Sequence, residues 1–221
     1  MEIKALVFDL EGTLYNSKEL VSEWRTQVFK LIKEKTGKSD DEILKEFLEI
    51  VEELKGKGFR RPPVSMIVDR LGIRRDDFYK AIESVDPSKF LRPDPKLRET
   101  LEQMGGKWRL AMLTNLSRKS TLSILEALGL DPDLFDPLVT ASEMEKGKPD
   151  PEPFRRIVEI LGLEPSSVMM VGDSVSSDLE PAKRVGMRTA LVSSREISTP
   201  LADLEVRSIE ELREALEKTE N

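Results

Sequence analysis

The sequence predicts an α/β protein, a doubly wound parallel sheet with an inserted α-helical module. Three observations predict it. Short apolar runs ending in polar or acidic residues recur along the chain, amphipathic stretches separate them, and one long segment has helical periodicity with no strand signal. Strand alternating with helix implies βαβ units. Strands buried on both faces of a parallel sheet read as continuous apolar runs, which is the form these take.

The first run is "IKALVFD", ending in Asp9. The helical module follows. Trp24, Val28, Leu31 and Ile32 make one apolar stripe, and Ile43, Leu44, Phe47, Val51 and Leu54 make a second. Shorter helices are expected over Val64–Leu71 and Asp76–Val85, and the Pro-rich "DPSKFLRPDPK" (Asp86–Lys96) returns the chain to the sheet. Further strands are expected at "WRLAMLTN" (Trp108–Asn115), "SVMMVGD" (Ser167–Asp173) and "RTALVSS" (Arg188–Ser194). "PLVTAS" (Pro137–Ser142) is a weaker strand signal, and "LEVRS" is the sixth. Helices are expected over Pro95–Met104, Ser120–Leu128, Pro153–Leu161, Ser177–Val185 and Ile209–Leu216. The division is a core of residues 1–16 and 90–221 and a helical domain of residues 17–89.

Composition narrows the chemistry. A chain of 221 residues with 38% hydrophobic content supports a packed core. The net charge of −7 argues against a nucleic-acid partner. Cys and His are absent, which removes thiolate chemistry, the imidazole base and the usual transition-metal ligands. Carboxylates, hydroxyls, Lys and Arg remain, together with a hard, oxygen-loving metal. No charged leader with an apolar segment and no membrane-length apolar run is seen, so a cytoplasmic protein without a membrane partner is expected. Asn and Gln together number five against abundant Glu, Lys and Arg, a bias associated with heat-adapted proteins.

In sheets of this kind the site lies beyond the carboxyl ends of the strands. There the first run delivers Asp9 and Glu11, "LAMLTN" delivers Thr114 and Asn115, "GKPDP" delivers Lys148, and "VMMVGDSVSSD" delivers Asp173 and Asp178. Carboxylates gathered at one point repel each other unless a cation intervenes. Asp9 and Asp173, with backbone carbonyls and water, suit magnesium. Lys148 adds fixed positive charge, Thr114 a hydroxyl donor, and the turn at Gly12 backbone N–H groups. Metal, ammonium and oriented donors together suit a phosphoryl group. A carboxylate not tied to the metal is left for acid–base work.

Other features have simpler readings beside functional ones. Asn115 reads as either a turn residue or a phosphate-site residue. Ser174 can cap a helix while Asp173 binds metal. Met169 and Met170 are core filler, and the charges over Lys33–Lys57 form a solvated face. Arg60 and Arg61, in "GKGFRRPPVS", either decorate a loop or reach an anionic substrate.

The ordered set "DLEGTL", a strand ending in "TN", "KPDP" and "VGDSVSSD" resembles the four motifs of the haloacid dehalogenase-like (HAD) hydrolase superfamily, and the helical insertion resembles its C1 cap. The resemblance covers essentially the whole chain. It implies a Rossmann-like core in which Asp9 is the nucleophile that forms an aspartyl-phosphate. Glu11 stands at the general acid/base position, with its backbone carbonyl on magnesium. Thr114 bonds the phosphoryl group, Lys148 pairs with that group and with Asp9, and Asp173 ligates magnesium. Asp178 holds a metal-bound water or orients Lys148. The first motif is similar to the Asp-x-Glu-Gly-Thr of enolase-phosphatases, whereas "VGDSVSSD" is similar to the phosphoglycolate-phosphatase branch.

The implied function is magnesium-dependent hydrolysis of a small-molecule phosphate ester by a monomer or homodimer. A phosphomutase, a metal-independent haloacid dehalogenase and a non-catalytic phosphate-binding module are the alternatives. Most phosphatases of the superfamily carry Asp where this chain has Glu11. Residues i and i+2 of an extended strand point the same way, roughly 6.5–7 Å apart. The extra methylene of Glu11 is therefore expected to bring its carboxyl to the leaving group from a different depth.

Overall fold

The computed structural model describes residues 2–57, 62–193 and 198–219. Arg60 and Arg61 lie outside the described residues. The chain divides into two units, Met1–Asn16 with Leu91–Asn221, and Ser17–Phe90.

The first unit is built on a six-stranded sheet. Its strands are β1 (Ala5–Phe8), β2 (Arg109–Leu113), β3 (Leu138–Val139), β4 (Val168–Gly172), β5 (Arg188–Val192) and β6 (Leu204–Val206). They are ordered β3-β2-β1-β4-β5-β6, and every pairing is parallel. β1 and β4 are buried along their whole length, as continuous apolar strands require. Successive side chains of β1 serve opposite faces. Ala5 and Val7 join a cluster with Phe154, Ile157, Leu161, Met170 and Met187. Phe8, on the other face, meets the edge of Phe135 with ring centroids 6.2 Å apart.

Helices α5 (Pro95–Gly105), α6 (Arg118–Leu128), α7 (Glu152–Leu161), α8 (Glu180–Val185) and α9 (Ile209–Thr219) link the strands or follow the last. β3 is shorter than "PLVTAS" suggests. The Thr140 hydroxyl accepts from Ser142 N and, with Glu143, forms a capping box that turns the backbone out of the strand. Ser177–Val185 also departs from a plain helix. Val175–Leu179 is a wide turn, with Leu179 N donating to Ser174 O, and regular helix begins only at Glu180.

The second unit contains α1 (Lys18–Thr36), α2 (Asp40–Gly56), α3 (Val64–Arg70) and α4 (Arg75–Glu83). Ser17 caps α1 by accepting from Leu20 N at 3.2 Å, and Ser39 with Glu42 forms a capping box on α2. The α1 stripe Leu20, Trp24, Val28 and Ile32 is buried. The α2 stripe is buried only in part: Ile43 and Leu54 are internal, while Leu44 is 54% exposed. Among the described residues no helix is long and apolar enough to cross a membrane.

Candidate active site

In this strand order the direction of winding reverses between β1 and β4. The crevice beyond their carboxyl ends is where α/β sheets bind ligands. Register aligns Phe8 with Met112 of β2 and with Val171 of β4, so the residues that follow emerge side by side. Asp9, Thr114 and Asp173 are those residues. Asp9 N donates to Val171 O at 2.9 Å and Thr114 N to Val139 O at 3.1 Å, which extends the ladder one step past the strands.

Lys148 holds the centre. It is 4% exposed, and its Nζ lies 2.8 Å from Asp9 Oδ1 and 2.6 Å from Asp178 Oδ1. A buried ammonium is costly unless it is paired. Burial alone lowers its pKa, but the Asp178 and Asp9 carboxylates outweigh that and raise it, so the side chain is a permanent cation. Asp178 is fully buried and its other oxygen accepts from Ser174 N at 3.1 Å. Burial, with Asp9 nearby, pushes the Asp178 carboxyl up, and the Lys148 ammonium counters that push.

Two local features put Asp178 there. The wide turn over Val175–Leu179 swings it back beneath β4, and Gly172 leaves room for it. A Cβ on Gly172 would stand 2.5 Å from Asp178 Cβ, closer than side chains approach.

Asn115 is joined to the backbone of Lys148. Its Nδ2 donates to Lys148 O at 2.8 Å, and Lys148 N donates to its Oδ1 at 2.8 Å. The amide therefore clamps the lysine's backbone and fixes where the ammonium emerges. Thr114 is buried, and its hydroxyl oxygen accepts from Leu116 N at 3.3 Å.

The loop after Asp9 corrects two expectations. β1 stops at Phe8, and Leu14 N donates to Leu10 O at 3.0 Å, so Asp9 and Glu11 are related by a turn instead of a strand pleat. Asp9 is largely buried, while Glu11 is exposed. Gly12 N donates to Tyr15 O at 2.8 Å, so this N–H is spent inside the loop and not offered to phosphate. The contribution of Gly12 is conformation and space. Its φ is +86°, and a Cβ there would lie 2.6 Å from Asp173 Cγ.

A divalent cation fits these residues. Carboxylate oxygens of Asp9, Asp173 and Asp178 lie within 4.8 Å of one another. Burial, then Asp9 and Glu11, push the Asp173 carboxyl up to about 6, the response of a carboxylate crowded by others. Asp178 is already committed to Lys148 and Ser174, which leaves Asp9 and Asp173 as the side-chain donors. With oxygen ligands alone the site suits Mg2+. The Glu11 carboxylate stands outside this cluster among the described residues.

Two hydroxyls in the same loop were not singled out by sequence reasoning. Thr13 Oγ1 and Tyr15 Oη are both buried without a hydrogen-bond partner among the described residues. Composition gives no signal for them, because an unmet donor is a property of the packed loop.

An α/β enzyme with a lysine bridging two carboxylates at the switch point is the class that fold and site define. Residues 3–186 match the family model of haloacid dehalogenase-like hydrolases, and the chain belongs to that family. It is 30% identical to the phosphoglycolate phosphatase of Aquifex aeolicus over 191 residues, 86% of this chain and 84% of that one. It is 29% identical to the pyrophosphatase PpaX of Halalkalibacterium halodurans over 198 residues, 87% of this chain and 84% of the relative. The crystal structure of a HAD phosphatase from Thermococcus onnurineus superposes with a TM-score of 0.72 at 29% identity, covering 97% of this chain and 98% of that one.

Proposed function

We propose that this hydrolase is a magnesium-dependent phosphatase of a small phosphorylated metabolite, working in the cytoplasm through a phosphoryl group carried on Asp9. The observation that carries this reading is the buried Lys148 ammonium between Asp9 and Asp178, with Asp173 beside them. A cationic partner 2.8 Å away holds the Asp9 carboxylate in place, as an attacking group requires. Phosphoryl transfer asks mainly for positioning and charge neutralisation, which this site can supply.

An Asp9 carboxylate oxygen attacks phosphorus, and the bond from phosphorus to the ester oxygen breaks. Glu11 gives its proton to that leaving oxygen. Glu11, now ionised, takes a proton from water as the water oxygen attacks phosphorus, the Asp9–phosphorus bond breaks, and inorganic phosphate departs. The Thr114 hydroxyl donates a hydrogen bond to a phosphoryl oxygen, Lys148 turns its remaining N–H toward the same group, and Asn115 holds the Lys148 backbone in place. Asp9, Asp173 and the Glu11 backbone carbonyl would hold Mg2+, which would supply charge neutralisation for the phosphoryl group. The helical unit inserted after the first strand selects the substrate, as resemblance to a C1 cap implies. The relatives' names, phosphoglycolate phosphatase and pyrophosphatase, support a small anionic phosphate compound as the substrate class.

Hydrolysis of p-nitrophenyl phosphate tests the reading. Wild type should turn over with Mg2+ and stop when the metal is chelated, and Asp9→Asn should lose roughly 1,000-fold or more. Activity that persists without metal, or in Asp9→Asn, would refute it.

A further inference from the structure

The apolar positions of α2 divide into two seams. Ile43, Phe47, Ile50 and Leu54 recur at the spacing of one side of a helix, and Ile43 and Leu54 are buried. Leu44, Leu48 and Val51 recur at the same spacing on the adjoining side. Leu44 is 54% and Leu48 53% exposed, and Val51 is half-buried. Single exposed leucines are ordinary on a protein surface. Three apolar residues along one seam form a strip that a second helix can cover.

The charges along the strip fit a particular partner. The same spacing continues to Asp41 at one end and Lys55 at the other, while Lys45 and Glu52 flank the strip, and all four are exposed. Read from either end, acid and lysine change places about Leu48, so the helix turned end over end presents opposite charge at each position. Most other acids of α2 are matched within the chain. Asp40 lies 2.7 Å from Lys33, Glu46 2.6 Å from Lys38 and Glu53 3.0 Å from Arg70, and Glu42 closes the capping box. Lys55 bridges to Glu52 of its own helix at 2.6 Å, an exposed pair worth little that can re-form across an interface.

We propose that α2 is a homodimerisation surface, packing antiparallel on α2 of a second copy about a two-fold axis at Leu48. Leu48 then meets its counterpart, and Leu44 lies against Val51 of the second copy. Asp41 faces Lys55 and Lys45 faces Glu52, each contact occurring twice. A parallel pairing would set Asp41 on Asp41 and Glu52 on Glu52, and a basic peptide would meet Lys45 and Lys55. The charge pattern favours the antiparallel copy over both. One helix face reaches at most the lower end of standard interfaces, roughly 1,200 Å² in total, so association should depend on concentration.

Sedimentation equilibrium of the full chain over a micromolar series tests the proposal. The mass should rise from one chain toward two. Leu48→Glu, which brings like charges together on the axis, should weaken association roughly 10-fold or more. Lys45→Glu should weaken it too, and adding Glu52→Lys to that variant should restore it. The chain has no cysteine, so single introduced thiols report the geometry even if Leu48→Glu fails to fold. Under mild oxidation Leu48→Cys should link to itself, and Asp41→Cys should link to Lys55→Cys far faster than to its own kind. A mass of one chain throughout, association that a folded Leu48→Glu leaves intact, or Asp41→Cys linking preferentially to itself would overturn the proposal.

Discussion

Lys148 has the least freedom of any residue in the site. Its ammonium is paired to Asp9 and Asp178, and its backbone is held through both ends of the Asn115 amide. Asp178→Asn removes one of two buried counter-charges, and breaking such a pair is far more costly than never having built it. Chemical denaturation should show a loss of about 3 kcal/mol, with turnover reduced as the lysine re-centres on Asp9. Unchanged stability would mean that Asp178 is not what holds the cation. Glu11→Gln tests the other carboxylate. Turnover should fall strongly with alkyl phosphates and much less with an aryl phosphate whose leaving group needs no proton. Equal losses with both would show that Glu11 is not the acid. That Asp9, Lys148 and Asp173 meet beyond the strand ends is legible because residue type and strand-end position point there. The partners of Asn115 and Gly12 are not, since they depend on what the folded loops present.

Among the elements, the segment after β4 matters most to the site. A regular helix from Ser177 would follow its amphipathic pattern, but the wide turn capped by Ser174 is what returns Asp178 to Lys148. Periodicity cannot announce that turn, because one extra residue in a helical turn leaves the apolar stripe almost unchanged. Strands β1, β2, β4 and β5 were legible as continuous apolar runs, whereas β3 was over-read because its end is set by the capping chemistry of Thr140. At the far edge of the sheet, Asp203 ties β5 to the segment before β6. It accepts from Thr189 N at 2.8 Å and pairs with Lys183 at 2.5 Å and Arg188 at 3.1 Å. Burial alone would raise its pKa, but Lys183, Thr189 and Arg188 together lower it from the ordinary 3.8. A carboxylate with a depressed folded pKa stabilises above the unfolded value and loses that contribution as pH falls through the folded one. Asp203→Asn should therefore cost about 1 kcal/mol near neutrality. The gap between variant and wild type should close as pH drops below 3.8, as thermal melts across an acid series would show. A gap that persists in acid would mean the carboxylate charge is irrelevant there.

Over the whole molecule, the strand order does what no single motif can. It brings segments separated by more than a hundred residues to one crevice, and it explains why the first run, the "TN" strand end, "GKPDP" and "VGDSVSSD" lie together. Alternation of strand and helix made that topology legible, while the fine placement of side chains came only with the packed loops. Because Asp173 is buried and crowded by Asp9 and Glu11, metal binding should stabilise the fold. Mg2+ at 100 times its Kd is expected to add roughly 2.7 kcal/mol, and Asp173→Asn should abolish that gain; a melting temperature indifferent to Mg2+ would contradict the site. The scarcity of Asn and Gln predicts a melting temperature above the roughly 45–65 °C of mesophile domains. The claim that organises all of this is that Asp9 carries the phosphoryl group. Rapid acid quench of the magnesium-loaded enzyme during turnover, followed by mass spectrometry of the peptide spanning Asp9, tests it most directly. A phosphoryl adduct on Asp9, absent from Asp9→Asn, is the expected result; turnover with no adduct, or with the adduct on another residue, would contradict it.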